Sequence, residues 1–235
     1  MEKIKDKKVD FKLDPEKMLE AGLHFGHRAS RCHPRMKPYI FGVRNTVHII
    51  DLEKTVQKFE EALGFIQELV SKDKVLLIVG TKIQAKGLVK EMAESLDLPY
   101  VSERWVGGTL TNFEVIKKRV DYFKDLERKK AEKELEKYTK KERMKLDEEI
   151  KDLELKFGGI KKLEKIPDAI FVLDMKKDNV AIREARKKEI KIIGVADTNV
   201  NPDFADYPIP ASDDSISSIK YILDKFAEVI KKTKK

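Results

Sequence analysis

The sequence predicts an α/β fold: a parallel sheet flanked by helices on both faces, with an inserted antiparallel helical hairpin. Three patterns carry that expectation. The run Val75–Val79 (VLLIV) is short, wholly apolar and β-branched, as a strand covered on both faces should be. Runs of this kind alternate with segments whose apolar residues recur at spacings of three and four, the repeat of an amphipathic helix. Between Glu114 and Phe157 more than half the residues are charged, glycine and proline are absent, and the apolar positions thin to one narrow stripe.

Asp14-Pro15-Glu16 sets a capping side chain before a proline at the first helical position, so a short helix should run to about Ala21 and end at Gly22. The following LHFGHRASRCHPRMKPYIFGVRN is too rich in Gly, Pro, Arg and His for a regular element. It is expected as a long ordered loop ending in short strands at Tyr39–Phe41 and Val47–Ile50. From Asp51, the residues Val56, Phe59, Leu63, Ile66 and Val70 mark a helix with one buried face. After strand Val75–Val79 the pattern predicts a helix over Ile83–Leu96 and a strand at Pro99–Val101. Beyond the hairpin it predicts strand Ala169–Leu173, helix Val180–Lys188, strands Ile192–Ala196 and Tyr207–Ile209, and a helix from Ser215 to about Lys231. Such alternation implies right-handed crossovers, with function at the carboxyl ends of the strands.

Within the charged segment, Ile116, Val120 and Phe123 on one arm and Leu146, Ile150, Leu153 and Phe157 on the other follow a coiled-coil seam. Thr139 and Glu142 form a capping box, which puts the turn near Tyr138, and Gly158-Gly159 is expected to end the second arm by taking positive φ. The domain reading is therefore a core of residues 1–112 and 159–235 carrying a coiled-coil hairpin at 113–158, whose self-contained seam makes it an appendage.

The 235 residues are 41% hydrophobic, enough for a packed interior, and 39% charged, far above the roughly 25% of ordinary globular chains. A net charge of +8 favours polyanionic partners. A single cysteine, Cys32, excludes an internal disulfide and any four-cysteine zinc site, pointing to a reducing compartment with the cytoplasm as default. The start MEKIKDKKVDFKLD has no apolar leader core and no stretch suits a membrane span, so neither secretion nor membrane insertion is expected.

Arg28, Arg31, Arg35, Lys37 and Arg44 crowd the early loop, with Tyr39 and Phe41 between them. Guanidinium groups serve both as phosphate forks and as stacking planes, so this loop is the leading candidate for RNA contact. The stretch Arg104–Asn112 sets two glycines, the Thr109 and Thr111 hydroxyls and the Asn112 amide ahead of a helix, where free N–H groups favour an anion. With Lys82, Lys117 and Lys118 these complete the candidate RNA-binding set, while Trp105 reads more naturally as a core anchor. His27, Asp197 and Asp213 are competent ligands for a structural zinc or magnesium ion, although their spacing closes no set of four and no cofactor is required. An α/β nucleotide-binding enzyme is one alternative function. However, the turn Gly80-Thr81-Lys82-Ile83-Gln84-Ala85 has neither the GxGxxG nor the GxxxxGK[ST] pattern, and no nucleophile elbow appears. A coiled-coil protein adaptor is another.

Several segments, in order, resemble one known family. They are Ala21-Gly22 with His24-Phe25-Gly26-His27, Met36-Lys37-Pro38-Tyr39-Ile40-Phe41-Gly42, and Arg44-Asn45 with Val47-His48-Ile49-Ile50-Asp51-Leu52. Gly80-Thr81-Lys82, Arg104-Trp105-Val106-Gly107-Gly108-Thr109-Leu110-Thr111-Asn112, Pro167-Asp168-Ala169 and Asp197-Thr198-Asn199 continue the series. From about Met18 to Phe226 the chain resembles the bacterial small-subunit ribosomal protein two family. The resemblance implies a flavodoxin-like sheet with an inserted helical hairpin and a structural, non-catalytic protein that binds small-subunit rRNA. It also implies a seat between head and body on the solvent side and neighbouring small-subunit proteins as partners, among them the large number-one protein, with no membrane and no small-molecule substrate.

Overall fold

The computed structural model describes Phe11 and residues 13–234; the opening segment discussed above as lacking a leader lies largely outside the described residues. In chain order the elements are α1 (Pro15–Glu20), β1 (Phe25–Arg28), β2 (Ile40–Arg44), β3 (Val47–Ile50), α2 (Leu52–Ser71), β4 (Leu76–Val79), α3 (Ile83–Leu96) and β5 (Tyr100–Val101). There follow α4 (Phe113–Ala131), α5 (Lys140–Phe157), β6 (Ala169–Val172), α6 (Asn179–Lys187), β7 (Lys191–Ala196), β8 (Tyr207–Pro210) and α7 (Ile216–Thr233).

Five strands form a parallel sheet in the order β5-β4-β6-β7-β8, the flavodoxin-like arrangement. Alternate residues serve opposite faces, as the pleat requires. Leu76, Ile78, Ala169, Phe171, Ile193 and Val195 join the buried sides of α2, α3 and α7, where Phe171 stacks on Phe226. Leu77, Val79, Ile170, Val172 and Ile192 face the other way, onto α6, Trp105, Leu110 and the helical hairpin. Among the described residues no helix is long and apolar enough to cross a membrane.

Helix starts obey local chemistry. Asp14 accepts from Glu16 N–H at 3.0 Å, Asp51 accepts from Glu53 N–H at 3.1 Å, and the Thr139/Glu142 capping box is formed. Two expectations of local conformation need correction. Phe25–Arg28 is a strand, not loop: it pairs antiparallel with β3, which also pairs with β2, giving a separate three-stranded ribbon in the order β1-β3-β2. Its Gly and His residues hid it, because the constraint there is tertiary: a Cβ on Gly26 would lie 2.5 Å from the Thr198 methyl, so only glycine lets the ribbon reach that loop. Gly158-Gly159 does not take positive φ either. Gly158 stays helical at φ −52° and the chain continues as a 3-10 turn, Gly158–Ile160. Gly159 is needed for close approach, since a Cβ there would sit 2.2 Å from the Tyr100 carbonyl oxygen.

The seam between α4 and α5 is not self-contained. Ile116, Val120, Phe123, Leu126, Ile150, Leu153 and Phe157 are buried in one apolar cluster with the sheet's second face. The roots of the two helices are therefore core, and the connection between them adds only Leu135, buried in the same cluster beyond Leu126 and Ile150. Replacing residues 127–149 by a short Gly/Ser linker is expected to leave one cooperative thermal transition within about 5 °C of the parent, whereas deleting 113–158 exposes the apolar floor and costs well over 10 °C. Calorimetry of the two deletions checks this.

Candidate nucleic-acid interface

The carboxyl ends of β4, β6, β7 and β8 converge, and β4/β6 is the point where strand order reverses, the usual ligand crevice of such sheets. Here the crevice holds the chain's own acids. Asp174, Asp197 and Asp213 are buried, and Asp214 is exposed beside them. Lys82 reaches in from the start of α3, its Nζ 2.6 Å from Asp213 Oδ1, 2.6 Å from Asp214 Oδ1 and 3.4 Å from Asp174 Oδ2. Burial opposes its charge, but the bonds to Asp213 and Asp214 prevail and hold the ammonium firmly protonated. Asp213 itself is pushed up to about 7 by burial and by neighbouring Asp174 and Asp197. Burial acts in the same direction on Asp214, yet Lys82 overrides it and keeps that carboxyl below its usual range. Lys82, expected at an RNA phosphate, is thus withdrawn from that set: its charge is consumed inside the protein.

His27, on β1, closes the cluster. Its Nδ1 lies 3.0 Å from Asp197 Oδ2, its Nε2 lies 3.5 Å from Asp214 Oδ2 and 2.8 Å from the Asn199 amide, and the Asp197 carboxylate raises the imidazole above its ordinary value. The expected trio of His27, Asp197 and Asp213 does come together, joined by Asp214 from the same group of aspartates near the carboxyl ends of the strands; ligand atoms of all four lie within 4.8 Å of one another. One imidazole with carboxylates is a donor set that suits zinc or magnesium.

The turn at Arg104–Asn112 does bind an anion, but an internal one. The Glu184 carboxylate, buried on α6, accepts from Trp105 Nε1 (3.1 Å), Gly108 N–H (2.8 Å), Leu110 N–H (2.9 Å), Thr111 N–H (3.1 Å) and the Thr111 hydroxyl (3.2 Å). Burial alone would raise this carboxyl; the donors win and hold it below its ordinary value. The phosphate cradle is therefore filled, which removes Thr111 from the RNA set. Thr109 leaves it too, being buried with its hydroxyl donating to Val106 O at 2.6 Å. Trp105 is the core anchor its residue type suggested. Glu184 went unseen, though a charge between Ala181 and Ala185 on an otherwise apolar helix stripe was its signal.

The remaining cations face outward. Arg28, Arg31, Arg35, Lys37, Arg44, Arg104, Lys117 and Lys118 are exposed, as is Asn112. Arg35 makes only a 3.5 Å surface pair with Asp203, and Lys117 reaches the Glu164 carbonyl at 3.3 Å. Arg28 and Arg44 both pair with Val47 across β3, so they stand level, about 10 Å apart by strand spacing. Tyr39 packs inward, while Phe41 is 81% exposed among these charges. The ribbon is pinned over the sheet's edge by Thr198, which accepts from His27 N–H through its hydroxyl at 2.9 Å and from His33 N–H through its carbonyl at 2.7 Å.

Lys82→Met strands three carboxylates, and loss of one partner of such a buried pair typically costs about 3–5 kcal/mol. A carboxyl with a raised folded pKa supports stability at low pH and loses that support as pH rises through the folded value. The drop in melting temperature is therefore expected to be larger at pH 8 than at pH 5.5, where Asp213 takes up a proton; equal drops at both values would contradict the assignment.

Comparison with known protein families adds one finding. A family model described as ribosomal protein S2 matches residues 18–233, nearly the whole chain. The match fits the sheet order, and it spans both the ribbon and the acid-filled crevice. Members of that family are structural components of the small ribosomal subunit in the cytoplasm, associated with ribosomal RNA and other ribosomal proteins. This chain belongs to the ribosomal protein S2 family.

Proposed function

We propose that this protein holds small-subunit rRNA through the three-stranded ribbon and the 3-10 turns that join β1 to β2, using Arg28 and Arg44 from the strands, Arg31, Arg35 and Lys37 from the turns, and Phe41 as a stacking face. Arg104, Asn112, Lys117 and Lys118 extend the contact along the base of α4. One observation carries the reading: Arg28, Arg31, Lys37 and Arg44 make no ion pair among the described residues, although many other lysines and arginines do. Unspent guanidinium groups beside an exposed aromatic ring match what RNA offers, phosphates and unstacked bases. The protein's remaining surfaces then serve neighbouring small-subunit proteins, the large number-one protein among them, and the role is structural.

Replacing Arg28, Arg31, Arg35 and Arg44 together by Gln removes four phosphate forks without touching a buried partner. Affinity for small-subunit rRNA is expected to fall roughly a hundred- to thousand-fold at physiological salt, and the slope of log affinity against log salt to flatten by about 3. The melting temperature should move by only a few degrees. Equal incorporation of variant and parent into small subunits, measured in competition, would move the RNA contact elsewhere.

The crevice supports a second proposal, a structural divalent cation held by His27, Asp197, Asp213 and Asp214. Four carboxylates, those of Asp174, Asp197, Asp213 and Asp214, face one ammonium and one imidazole, which leaves negative charge for a cation to balance. Binding requires Asp213 ionised and His27 neutral, so zinc or magnesium is expected to raise the melting temperature by about 5–10 °C at a hundredfold excess over Kd, more at pH 8 than at pH 6. Asp213→Asn should abolish the gain in a thermal-shift titration.

A further inference from the structure

Between α6 and the segment that follows β7 lies a cavity of about 330 Å³, which meets the acid-filled crevice at Asn199, the partner of His27, but whose apolar floor takes no part in it. Its floor is apolar, made by Met175, Ile182 and Val200, all buried. One wall is a single face of α6, where Asn179, Arg183 and Arg186 follow at helical spacing. Opposite stands Phe204, 47% exposed, in the 3-10 turn Pro202–Phe204, with the Arg186 guanidinium 5.2 Å from its ring centroid. Neither Arg183 nor Arg186 forms an ion pair among the described residues.

The polar groups at the rim are partly spent. Asn179 donates its amide to Lys176 O at 3.0 Å, which leaves its oxygen as a free acceptor. Asn201 accepts from Asp203 N–H at 3.1 Å, which leaves its amide hydrogens as donors. An acceptor and a donor thus flank an apolar slot that carries an aromatic ring and a guanidinium plane. Every nucleobase offers the complement: a flat apolar face for the slot and an edge of donors and acceptors for the amides. The volume falls at the small end of ligand sites, suited to one base and too tight for a peptide helix or a folded loop. His33 completes the wall, and it lies between Arg31 and Arg35 in sequence, so the cavity adjoins the cationic ribbon. Phosphates on either side of an inserted base would find arginines on both flanks.

We propose that this cavity receives a single unstacked base of the bound RNA, lying against Phe204 and Arg186 and read at its edge by Asn179 and Asn201. The assignment rests on the rRNA-binding reading above and adds to it a site that selects single-stranded nucleotides.

The test uses the full chain and fluorescence anisotropy with two probes, a mixed-sequence single-stranded hexaribonucleotide and an RNA duplex. Phe204→Ala, a half-exposed truncation that leaves the floor intact, is expected to weaken the single strand roughly 5- to 150-fold and leave the duplex unchanged. Phe204→Trp should restore binding, and Phe204→Leu, which keeps apolar bulk but no ring, should not. Full single-strand affinity in Phe204→Ala, or rescue by Leu equal to that by Trp, overturns the base pocket. So does a glutamate-rich peptide that displaces the single strand as well as a nucleoside monophosphate does, since that would make the site a reader of negative charge alone. These failures stay distinct from failure of the parent reading: if the four-arginine variant loses both RNAs while Phe204→Ala is silent, the ribbon stands and the pocket falls. If the unaltered chain binds neither RNA, both fall.

Discussion

Neutralising buried carboxylates is the constraint on which the carboxyl edge of this sheet depends. Asp174, Asp178, Asp197, Asp213 and Glu184 are all removed from water, and an unpaired buried carboxylate costs several kcal/mol. Each is met from a distant part of the chain or from its own loop. Lys82 serves Asp174, Asp213 and Asp214; the Thr81 hydroxyl donates to Asp178 at 2.8 Å; the Thr198 hydroxyl donates to Asp197 at 3.0 Å; a turn seventy-odd residues upstream encloses Glu184. Because removing any one partner strands another group, the loops after β4, β6, β7 and β8 behave as one unit, and the ribbon is mounted on that unit through Thr198.

The same accounting sorts the molecule's charge. Acids at the sheet edge are matched inside, and much of the surface is laced by short-range pairs such as Lys72 with Glu68 and Lys129 with Asp125. Those pairs cancel locally and give little field at a distance. The excess of +8 is therefore felt most where cations stand unpaired, on the ribbon and along the outer face of α6. A chain with as many acids as this one still presents a cationic surface, because its acids are consumed where its ribbon cations are not.

Much of this was legible from the sequence, and the limits have physical causes. The parallel strands could be read because burial on both faces leaves no polar alternation, as in Val75–Val79, and the helix starts because a cap is a local bond, as at Asp14, Asp51 and Thr139. β1 could not, since Gly26 and His27 are selected by Thr198 and Asp197, some 170 residues away. The convergence of His27 with Asp197, Asp213 and Asp214 was readable only as a competence of residue types, because nothing local to the sequence brings β1 to the ends of β7 and β8. Lys82 and the Arg104–Asn112 turn show the opposite failure. Their chemistry was right, a cation for anions and a cradle for a carboxylate-like group, but a single sequence does not say whether the anion is foreign or the chain's own. Burial of the α4 and α5 roots was likewise invisible, because an apolar stripe looks the same whether it meets a sister helix or a sheet.

The hydroxyl of Thr198 and the backbone of His27 are 171 residues apart in sequence. During synthesis the ribbon emerges first and waits for its mooring. At about 5–20 residues per second that interval lasts roughly 10–30 s. Throughout it the arginines of the ribbon are displayed on an unfastened segment close to the translating machinery, whose own surface is a polyanion of the kind they bind. The late-made Thr198 loop thus sets when the chain's cations stop being a loose, promiscuous tether and become a surface of fixed shape.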